Sequence, residues 1–497
     1  MTDELERLAN GVLWPGFFGT TAPEWLRAEL RDGLAGVVYF GQNIGEGLAA
    51  LSADILAANP DALIGVDEEG GSVTRLESAG GSTLPGAAQL GALDDLVATE
   101  RTGAELARRA RAVGVNVVLG PVADVNTDPR NPVIGVRAFG SDERLVSRHV
   151  VAAVDGIQDG AVAACLKHFP GHGDTHLDSH HALPVISLEI AEYERVHLAP
   201  FRAAIDAGVD TVMTAHIVVP AWGEEPATLN PRVLGMLREW GFDGVIITDA
   251  LDMAAIRETV GIGGGAARAL AAGADLLCIG NPTNPGENAL PDQDERDFRE
   301  ARDGIVAALR DGSLSRERVE EAAQRVSALA RKLSAAASAT VDETDASDGF
   351  DAADIVRRAI TVTGGSPATA SALSVIDARR RSTLAVDSAA AYVAATLADD
   401  GRRVRLDVAN TSIEEQDRVL DEALSPLATT VLLIDRPDAD AAQRALVERT
   451  AVRDPEAVVV NVGLAAGRPL PLPTIEVGAA SRLGAQMARE RLVGAAG

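Results

Sequence analysis

Eight short apolar runs recur along the first 335 residues of this 497-residue chain, with helical patterns between most of them. Continuous runs of Val, Ile and Leu are typical of strands that are covered on both faces, as in a parallel sheet. Eight such units in a domain of this size predict a closed (β/α)8 barrel of the α/β class. The runs are GVLWPGFF, LAGVVYF, ALIGV, VNVVLG, AACLKHF, TVMTAHI, GVIIT and ADLLCIG.

The stretch SAAASATVDETDASDG has neither a helical nor a strand period, which marks a domain boundary. We therefore expect the barrel over residues 1–335, a linker over 336–349 and a second domain over 350–497. In the second domain, strand-like runs alternate with alanine-rich helical stretches, which predicts a smaller three-layer α/β sandwich. These runs are AITVTGG, STLAVD, VRLDVA, TVLLID, AVVVNVG and TIEVG. The pattern SRERVEEAAQRVSALARKL, with its serine start, predicts a helix at the end of the first domain.

The charge balance excludes some partners. The chain carries 45 Lys and Arg against 73 Asp and Glu, for a net charge of −28, so nucleic acid and anionic membranes are repelled.

Cys165 and Cys278 lie in apolar runs, as buried free thiols do. The acidic start of the sequence is unlike a secretory signal, and no apolar run reaches the roughly 18 residues that span a bilayer. We expect a cytoplasmic protein.

Polar residues follow the strand runs at the positions where a barrel of this kind carries its active site. They are spread over six of the eight strand ends, whereas an open doubly wound sheet would concentrate them at one switch point. They are Asp67, Glu68, Glu69, Asp124, Lys167, His168, His216, Asp249 and Asn281.

Five of the eight histidines fall within KHFPGHGDTHLDSHH, at residues 167–181. One interpretation is a metal site, because His172, His176 and His180 are four residues apart and would share one face of a helix. The proline and glycines in this segment argue against a regular helix. The other interpretation is general acid/base catalysis by His180, with Asp178 orienting the imidazole and favouring its protonated form. The third interpretation is that the segment is a polar surface loop.

Two further residues are open to more than one interpretation. Asp249, in ITDALDM, either caps the segment that follows, with Asp252 three residues on, or acts as a nucleophile at a strand end. The spacing alone favours neither. Lys167 could form a Schiff base with a carbonyl substrate, as in an aldolase, although the neighbouring histidines fit that chemistry poorly.

Four motifs together resemble glycoside hydrolase family 3, in particular its bacterial β-N-acetylglucosaminidase branch. They are GVDEEGGSVTRL (65–76), NPVIGVRAFG (131–140), KHFPGHGDTHLDSHHALP (167–184) and ITDALDM (247–253), and they cover essentially the whole first domain. The resemblance implies a retaining exo-glycosidase in which Asp249 is the nucleophile and His180 the acid/base, assisted by Asp178. The family positions that hold the sugar hydroxyls and the acetamido group match Asp67, Arg137, Lys167 and His168. Two further substrate-binding positions, whose roles carry over less directly, match Arg75 and His216.

The function that we expect is therefore an exo-β-N-acetylglucosaminidase, a β-N-acetylhexosaminidase that removes terminal β-GlcNAc from peptidoglycan fragments or chito-oligosaccharides without a metal or other cofactor. A deprotonated glutamate would repel an anionic acceptor, whereas a deprotonated imidazole is neutral. Phosphate could therefore replace water as the acceptor, and a phosphorylase is the first alternative. A metal-dependent hydrolase that uses the histidine-rich segment and a non-catalytic sugar-binding protein are more distant alternatives. No residue of 350–497 is assigned to catalysis.

Overall fold

The computed structural model describes residues 4–176, 183–339, 349–367, 369–380, 390–424 and 427–494. The chain divides into two compact units. The first unit comprises residues 1–68, 99–125 and 142–348, and the second comprises residues 69–98, 126–141 and 349–497. The boundary predicted at 336–349 would put two short segments, residues 69–98 and 126–141, in the first domain. The contacts of these segments group them with residues 349–497.

The described residues form sixteen strands. They are β1 (Leu13–Pro15), β2 (Gly36–Tyr39), β3 (Leu63–Val66), β4 (Glu68–Gly70), β5 (Val73–Thr74), β6 (Val117–Val118), β7 (Ala163–Phe169), β8 (Thr211–Thr214), β9 (Val245–Ile247), β10 (Leu277–Gly280), β11 (Thr361–Thr363), β12 (Leu373–Asp377), β13 (Arg402–Arg405), β14 (Thr429–Ile434), β15 (Val458–Asn461) and β16 (Thr474–Glu476).

The same residues form eighteen α-helices. They are α1 (Glu4–Asn10), α2 (Glu24–Arg31), α3 (Leu48–Ala58), α4 (Ala87–Leu93), α5 (Leu96–Ala112), α6 (Glu143–Asp159), α7 (Ile190–Val196), α8 (Ala199–Asp206), α9 (Pro231–Glu239), α10 (Ala254–Arg257), α11 (Gly261–Ala272), α12 (Gln293–Asp311), α13 (Arg316–Ala339), α14 (Ala352–Ala359), α15 (Ala391–Ala398), α16 (Ile413–Ala423), α17 (Ala441–Arg453) and α18 (Arg482–Val493).

The first unit is built on a curled parallel sheet. Strands pair in the order β2, β3, β6, β7, β8, β9, and β1 pairs in parallel with β10. A parallel bridge between Ile247 and Leu276 continues the sheet from β9 toward β10. Each of the eight predicted runs contains one of these strands, all of which are buried, so the predicted α/β barrel class is confirmed.

Helices alternate with these strands, and their ends follow from local signals. The amide of Arg318 donates to Ser315 Oγ at 3.2 Å, which caps α13. The helix predicted at the end of the first domain is therefore confirmed, and it continues to Ala339, into the predicted linker. Within the described part of the chain, no helix is long and apolar enough to cross a membrane.

The second unit contains a six-stranded sheet in the order β11, β16, β15, β14, β12, β13, in which only the β11–β16 pair is antiparallel. Successive side chains of β14 point to opposite faces: Val431 and Leu433 join one apolar cluster, and Leu432 and Ile434 join another. Helices cover both clusters, so the predicted three-layer sandwich is confirmed.

Strand β12, which lies between β14 and β13 in this sheet, was not predicted from the sequence. The nearby run STLAVD, at 382–387, lies outside the described residues. In β12 the apolar pattern is interrupted by Ser374, whose buried hydroxyl donates to the Ala423 carbonyl at 3.0 Å, and by Asp377. A strand with polar residues at two of its five positions is not recognised from a continuous apolar run.

Hydrogen bonds explain why the two short segments belong to the second unit. Ala480 donates its amide to Ser72 Oγ at 2.9 Å, and Gln89 donates its side-chain amide to the Val477 carbonyl at 3.0 Å. Arg436 donates to the Pro132 carbonyl at 3.4 Å. Both segments are thus held by residues that come more than 300 positions later.

Candidate active site

Most of the candidate site residues of the first unit lie at the carboxyl ends of the parallel strands. Asp67 follows β3, Asp249 lies two residues after β9, and His216 lies two residues after β8. Lys167 and His168 occupy the end of β7. Because the carboxyl ends of neighbouring parallel strands meet at one edge, this edge collects carboxylates, an ammonium group and imidazoles.

Asp67 and Lys167 form an ion pair across this edge. Lys167 Nζ lies 2.6 Å from Asp67 Oδ1. The lysine side chain is 2% exposed and the aspartate side chain 21% exposed. A carboxylate at this distance favours the charged ammonium, which is not nucleophilic, so the geometry does not favour the aldolase interpretation of Lys167.

Asp124 is completely buried and accepts three hydrogen bonds from the end of β7 and the residues after it. Its Oδ2 lies 2.7 Å from His168 Nδ1, and its Oδ1 accepts from the amides of His168 at 3.3 Å and His172 at 2.6 Å. Burial acts to raise the pKa of Asp124, but the charges and hydrogen bonds of the two histidines hold it below its ordinary value. An ionised Asp124 requires the proton of His168 to be on Nδ1.

Asp249 is partly exposed at the end of β9. Its Oδ1 accepts a hydrogen bond from the Ala250 amide at 2.8 Å, and its own amide donates to Thr214 Oγ1 at 3.3 Å. The next helix, α10, begins only at Ala254 and has no side-chain cap from Met253. The carboxylate of Asp249 therefore does not cap this helix.

The electrostatics of two neighbouring groups bring Asp249 and Asp67 into one neighbourhood. Burial raises the pKa of the Cys165 thiol to about 12; Lys167 lowers it, and the carboxylates of Asp67 and Asp249 both raise it. Burial lowers the pKa of His172 to about 4, against the opposing effects of Asp124 and Asp249. Both carboxylates thus lie within electrostatic reach of groups on and after β7.

His216 is completely buried, and both ring nitrogens contact protein groups. Its Nε2 lies 2.9 Å from the Ala250 carbonyl oxygen, and its Nδ1 lies 2.9 Å from Thr228 Oγ1. Thr228 Oγ1 also lies 2.8 Å from Thr214 Oγ1. The ring is therefore joined to Ala250 directly and to Thr214 through Thr228, and these are two residues that form hydrogen bonds with Asp249.

The predicted sugar-binding arginines belong to the second unit. Arg137 lies in a short 3-10 helix (Gly135–Arg137) and is nearly buried. Its Nε and Nη2 donate to the two carboxylate oxygens of Glu69 at 2.9 and 2.7 Å, and its Nη1 donates to the Val133 carbonyl at 3.1 Å. Arg75 follows β5 and is partly exposed. The fork of Glu69 fixes the plane of the Arg137 guanidinium.

Asp178 and His180, the predicted acid/base pair, lie outside the described residues. Residues 171–176 form no helix, His172 is buried and His176 is exposed. The described residues contain no group of three or more His, Cys, Asp or Glu side chains that could hold a metal ion. The helix on which the metal interpretation depends is absent from residues 171–176.

Four residues of the two units have contacts that were not predicted from the sequence. Asp124 and Glu69 stood in predicted strand ends without a role, and Thr214 and Thr228 were not considered. Position after a strand was a usable signal for the two acids. No sequence signal pairs Thr228 with His216, because their contact depends on how the chain returns after β8.

The family model for the glycosyl hydrolase family 3 N-terminal domain matches residues 21–329. A curated β-hexosaminidase from Xanthomonas oryzae pv. oryzae (strain KACC10331 / KXO85) is 38% identical over 287 residues, which cover 55% of this chain and 83% of the relative.

Two solved structures extend this comparison. A glycoside hydrolase family 3 β-N-acetylglucosaminidase from Paenibacillus sp. str. FPU-7 has a TM-score of 0.84 and 30% identity, covering 99% of this chain and 97% of that chain. A β-N-acetylhexosaminidase from Beutenbergia cavernae DSM 12333 has a TM-score of 0.59 and 26% identity, covering 66% of this chain and 99% of that one. The first similarity spans both units.

Proposed function

The chain belongs to glycoside hydrolase family 3, and from that membership we propose that it is a retaining exo-β-N-acetylglucosaminidase. It is a glycoside hydrolase, and its relatives include proteins named β-hexosaminidase and β-N-acetylglucosaminidase. The substrates that we propose are peptidoglycan fragments or chito-oligosaccharides with a terminal β-GlcNAc. The observation that carries the proposal is the partly exposed Asp249 carboxylate at the same strand edge as Asp67, Lys167 and His168.

In this mechanism Asp249 attacks the anomeric carbon and forms a covalent glycosyl ester. Two features support this role. Asp249 is partly exposed, as a residue that substrate reaches must be, and its Oδ1 accepts a hydrogen bond from the Ala250 amide. The bond from the anomeric carbon to the leaving oxygen breaks as the bond to the carboxylate forms, and water then releases the sugar with its configuration retained.

The sugar is proposed to bind through Asp67, Lys167, His168, Arg137 and Arg75. Charged donors and acceptors suit a ligand rich in hydroxyl groups, and the ion pair between the buried Lys167 and the partly exposed Asp67 orients both side chains. His168, with its proton on Nδ1, presents Nε2 as its second hydrogen-bonding atom.

His180 is proposed as the acid/base and Asp178 as its partner. An imidazole in this role gives a proton to the departing oxygen and then takes one from the attacking water. The assignment rests on the DSH motif and its match to the family, since these residues lie outside the described part of the chain.

The nucleophile is tested by trapping. Asp249→Ala should abolish release of an aryl β-GlcNAc, and a 2- or 5-fluoro sugar should label Asp249 in the full-length protein. Asp243→Asn is the matched control, because Asp243 is exposed just before β9 and should leave turnover unchanged. A label on any other residue would overturn the assignment.

The acid/base is tested with leaving groups. His180→Ala should slow substrates with poor leaving groups far more than activated aryl glycosides, which need little proton assistance, and Asp178→Asn should shift one limb of the pH profile. Equal losses for both substrate types would argue for a structural role of His180. Running the same assay with and without phosphate, and identifying the product by NMR, separates hydrolysis from release of a sugar 1-phosphate.

A further inference from the structure

Three buried side chains form a closed path around the proposed nucleophile. The path runs from the Asp249 amide to Thr214 Oγ1 (3.3 Å), to Thr228 Oγ1 (2.8 Å) and to His216 Nδ1 (2.9 Å). It returns from His216 Nε2 to the Ala250 carbonyl (2.9 Å). We infer that His216 is a positioning residue for Asp249, acting through this path, and not a sugar ligand. The inference rests on the proposed role of Asp249.

The hydrogen-bonding inventory supports this reading. The Ala250 carbonyl can only accept, so His216 Nε2 carries a proton. Nδ1 then faces the Thr228 hydroxyl, which also lies 3.0 Å from the Ala215 carbonyl. If the single hydroxyl proton goes to Nδ1, the ring is neutral; if it goes to the Ala215 carbonyl, a charged ring donates from Nδ1 to Thr228 Oγ1. In both cases each ring nitrogen has a protein partner, and the ring is completely buried.

The path also explains how a residue two positions beyond β8 can influence chemistry at the end of β9. Thr214 holds the peptide before the Asp249 side chain, and His216 holds the carbonyl of Ala250, whose amide donates to Asp249 Oδ1. The peptide before Asp249 and the peptide after Ala250 are thus both held from β8 and the segment after it, one on each side of the Ala250 amide that donates to Asp249 Oδ1. A shift of about 1 Å in a reacting group can cost on the order of 100-fold in rate.

Two buried threonines, Thr228 and Thr211, provide a test variant and a matched control. Thr228→Val removes the central hydroxyl of the path with little change in shape. Thr211→Val is the control, because Thr211 is equally buried and its hydroxyl donates to the Ala164 carbonyl at 2.9 Å, outside the path.

Thr228→Val should lower the rate constant for labelling of Asp249 by a fluoro sugar by about 10- to 100-fold. The inhibition constant of a non-hydrolysable GlcNAc ligand should change by less than about threefold, because positioning affects the transition state more than ground-state binding. Thr211→Val should change neither quantity. His216→Gln should follow Thr228→Val. If His216→Gln instead weakened the inhibitor more than tenfold with the labelling rate kept, the histidine would be a sugar ligand and the inference would be overturned.

A second readout does not need turnover. In the 15N-resolved NMR spectrum of the full chain, the His216 ring should carry its proton on Nε2. Thr228→Val should shift the His216 ring signals and the amides of Asp249 and Ala250, and Thr211→Val should leave them in place. A ring protonated only on Nδ1, or equal shifts in both variants, would contradict the path. If the wild-type protein failed to turn over any β-GlcNAc, the proposed function would fail while this result still decided the inference.

Discussion

His168 Nδ1 lies 2.7 Å from Asp124 Oδ2, and the same carboxylate also accepts the amide of His172. One buried acid therefore joins the ring of His168, which is proposed to bind the sugar, to the backbone of His172 within the histidine-rich segment. Because the acid can only accept hydrogen bonds while ionised, it fixes which ring nitrogen of His168 carries the proton.

Replacing Asp124 by Asn tests this dependence. The oxygen of the Asn side chain would still accept the two backbone amides, so its NH2 group would face His168 Nδ1. The His168 ring would then have to move its proton to Nε2. We expect kcat/KM for an aryl β-GlcNAc to fall by about 10- to 100-fold, with the change visible in the ring 15N shifts. Asp142→Asn is the control, because Asp142 also accepts two backbone amides, as the cap of α6, and should leave kinetics unchanged. Unaltered kinetics in Asp124→Asn would show that the position of the His168 ring proton does not matter for turnover.

The Asp67–Lys167 pair should be asymmetric in its effect on stability. Lys167 is almost fully buried, while Asp67 is about one-fifth exposed and can be hydrated when alone. Asp67→Asn should therefore lower the free energy of unfolding more than Lys167→Met, and a double-mutant cycle should give a coupling of about 0.5–3 kcal/mol.

The matched control for this cycle is the pair Lys332–Asp210, in which the lysine is 59% exposed. Its coupling should be about 0–1 kcal/mol by denaturant unfolding. Equal couplings in the two cycles would show that burial does not govern the pair at the strand edge.

Glu69 should control sugar binding through Arg137. In Glu69→Gln one of the two acceptors becomes a donor that faces the guanidinium, so the fork no longer fixes the arginine plane. We expect KM for an aryl β-GlcNAc to rise by about tenfold, corresponding to about 1.4 kcal/mol. Glu105→Gln should leave KM unchanged, because Glu105 makes a similar fork with Arg108 on the surface. A kcat effect without a KM effect would contradict this role.

Asp252 predicts a pH dependence of stability. Burial raises its pKa to about 8, against the effect of Arg257, from a reference value of 3.8. Between these two pKa values the folded protein keeps a proton on Asp252 that the unfolded chain releases. The contribution of Asp252 to the free energy of unfolding is therefore complete below about pH 4 and is lost as the pH rises through about 8.

Asp252→Asn removes that titration. The wild-type free energy of unfolding, measured relative to the variant, should fall between pH 4 and 8 by at most about 1.4 kcal/mol per pH unit. Asp292→Asn is the control: Arg296 lowers the pKa of Asp292, so that variant should add no slope between pH 5 and 8. Parallel curves for wild type and Asp252→Asn would refute the shift.

The barrel and the strand-end residues were predictable because both follow from local patterns. Continuous apolar runs mark buried parallel strands, and polar residues that directly follow them collect at one edge, as Asp67, Lys167 and Asp249 do. Strand β12 escaped because Ser374 and Asp377 interrupt its apolar pattern. The contacts of Thr228 with His216 and of Glu69 with Arg137 were not predicted, because the residues of each pair are 12 and 68 positions apart. The course of the loops that bring them together has no local sequence signal.

The dependence of Pro132, Ser72 and Gln89 on partners beyond residue 430 limits how this protein can be shortened. A polypeptide ending at residue 339 would keep the loop that bears Arg137 but lose the scaffolding against which that loop is set. The carboxy-terminal half of the sequence is therefore not a module that can be removed without loss of the contacts that hold this loop.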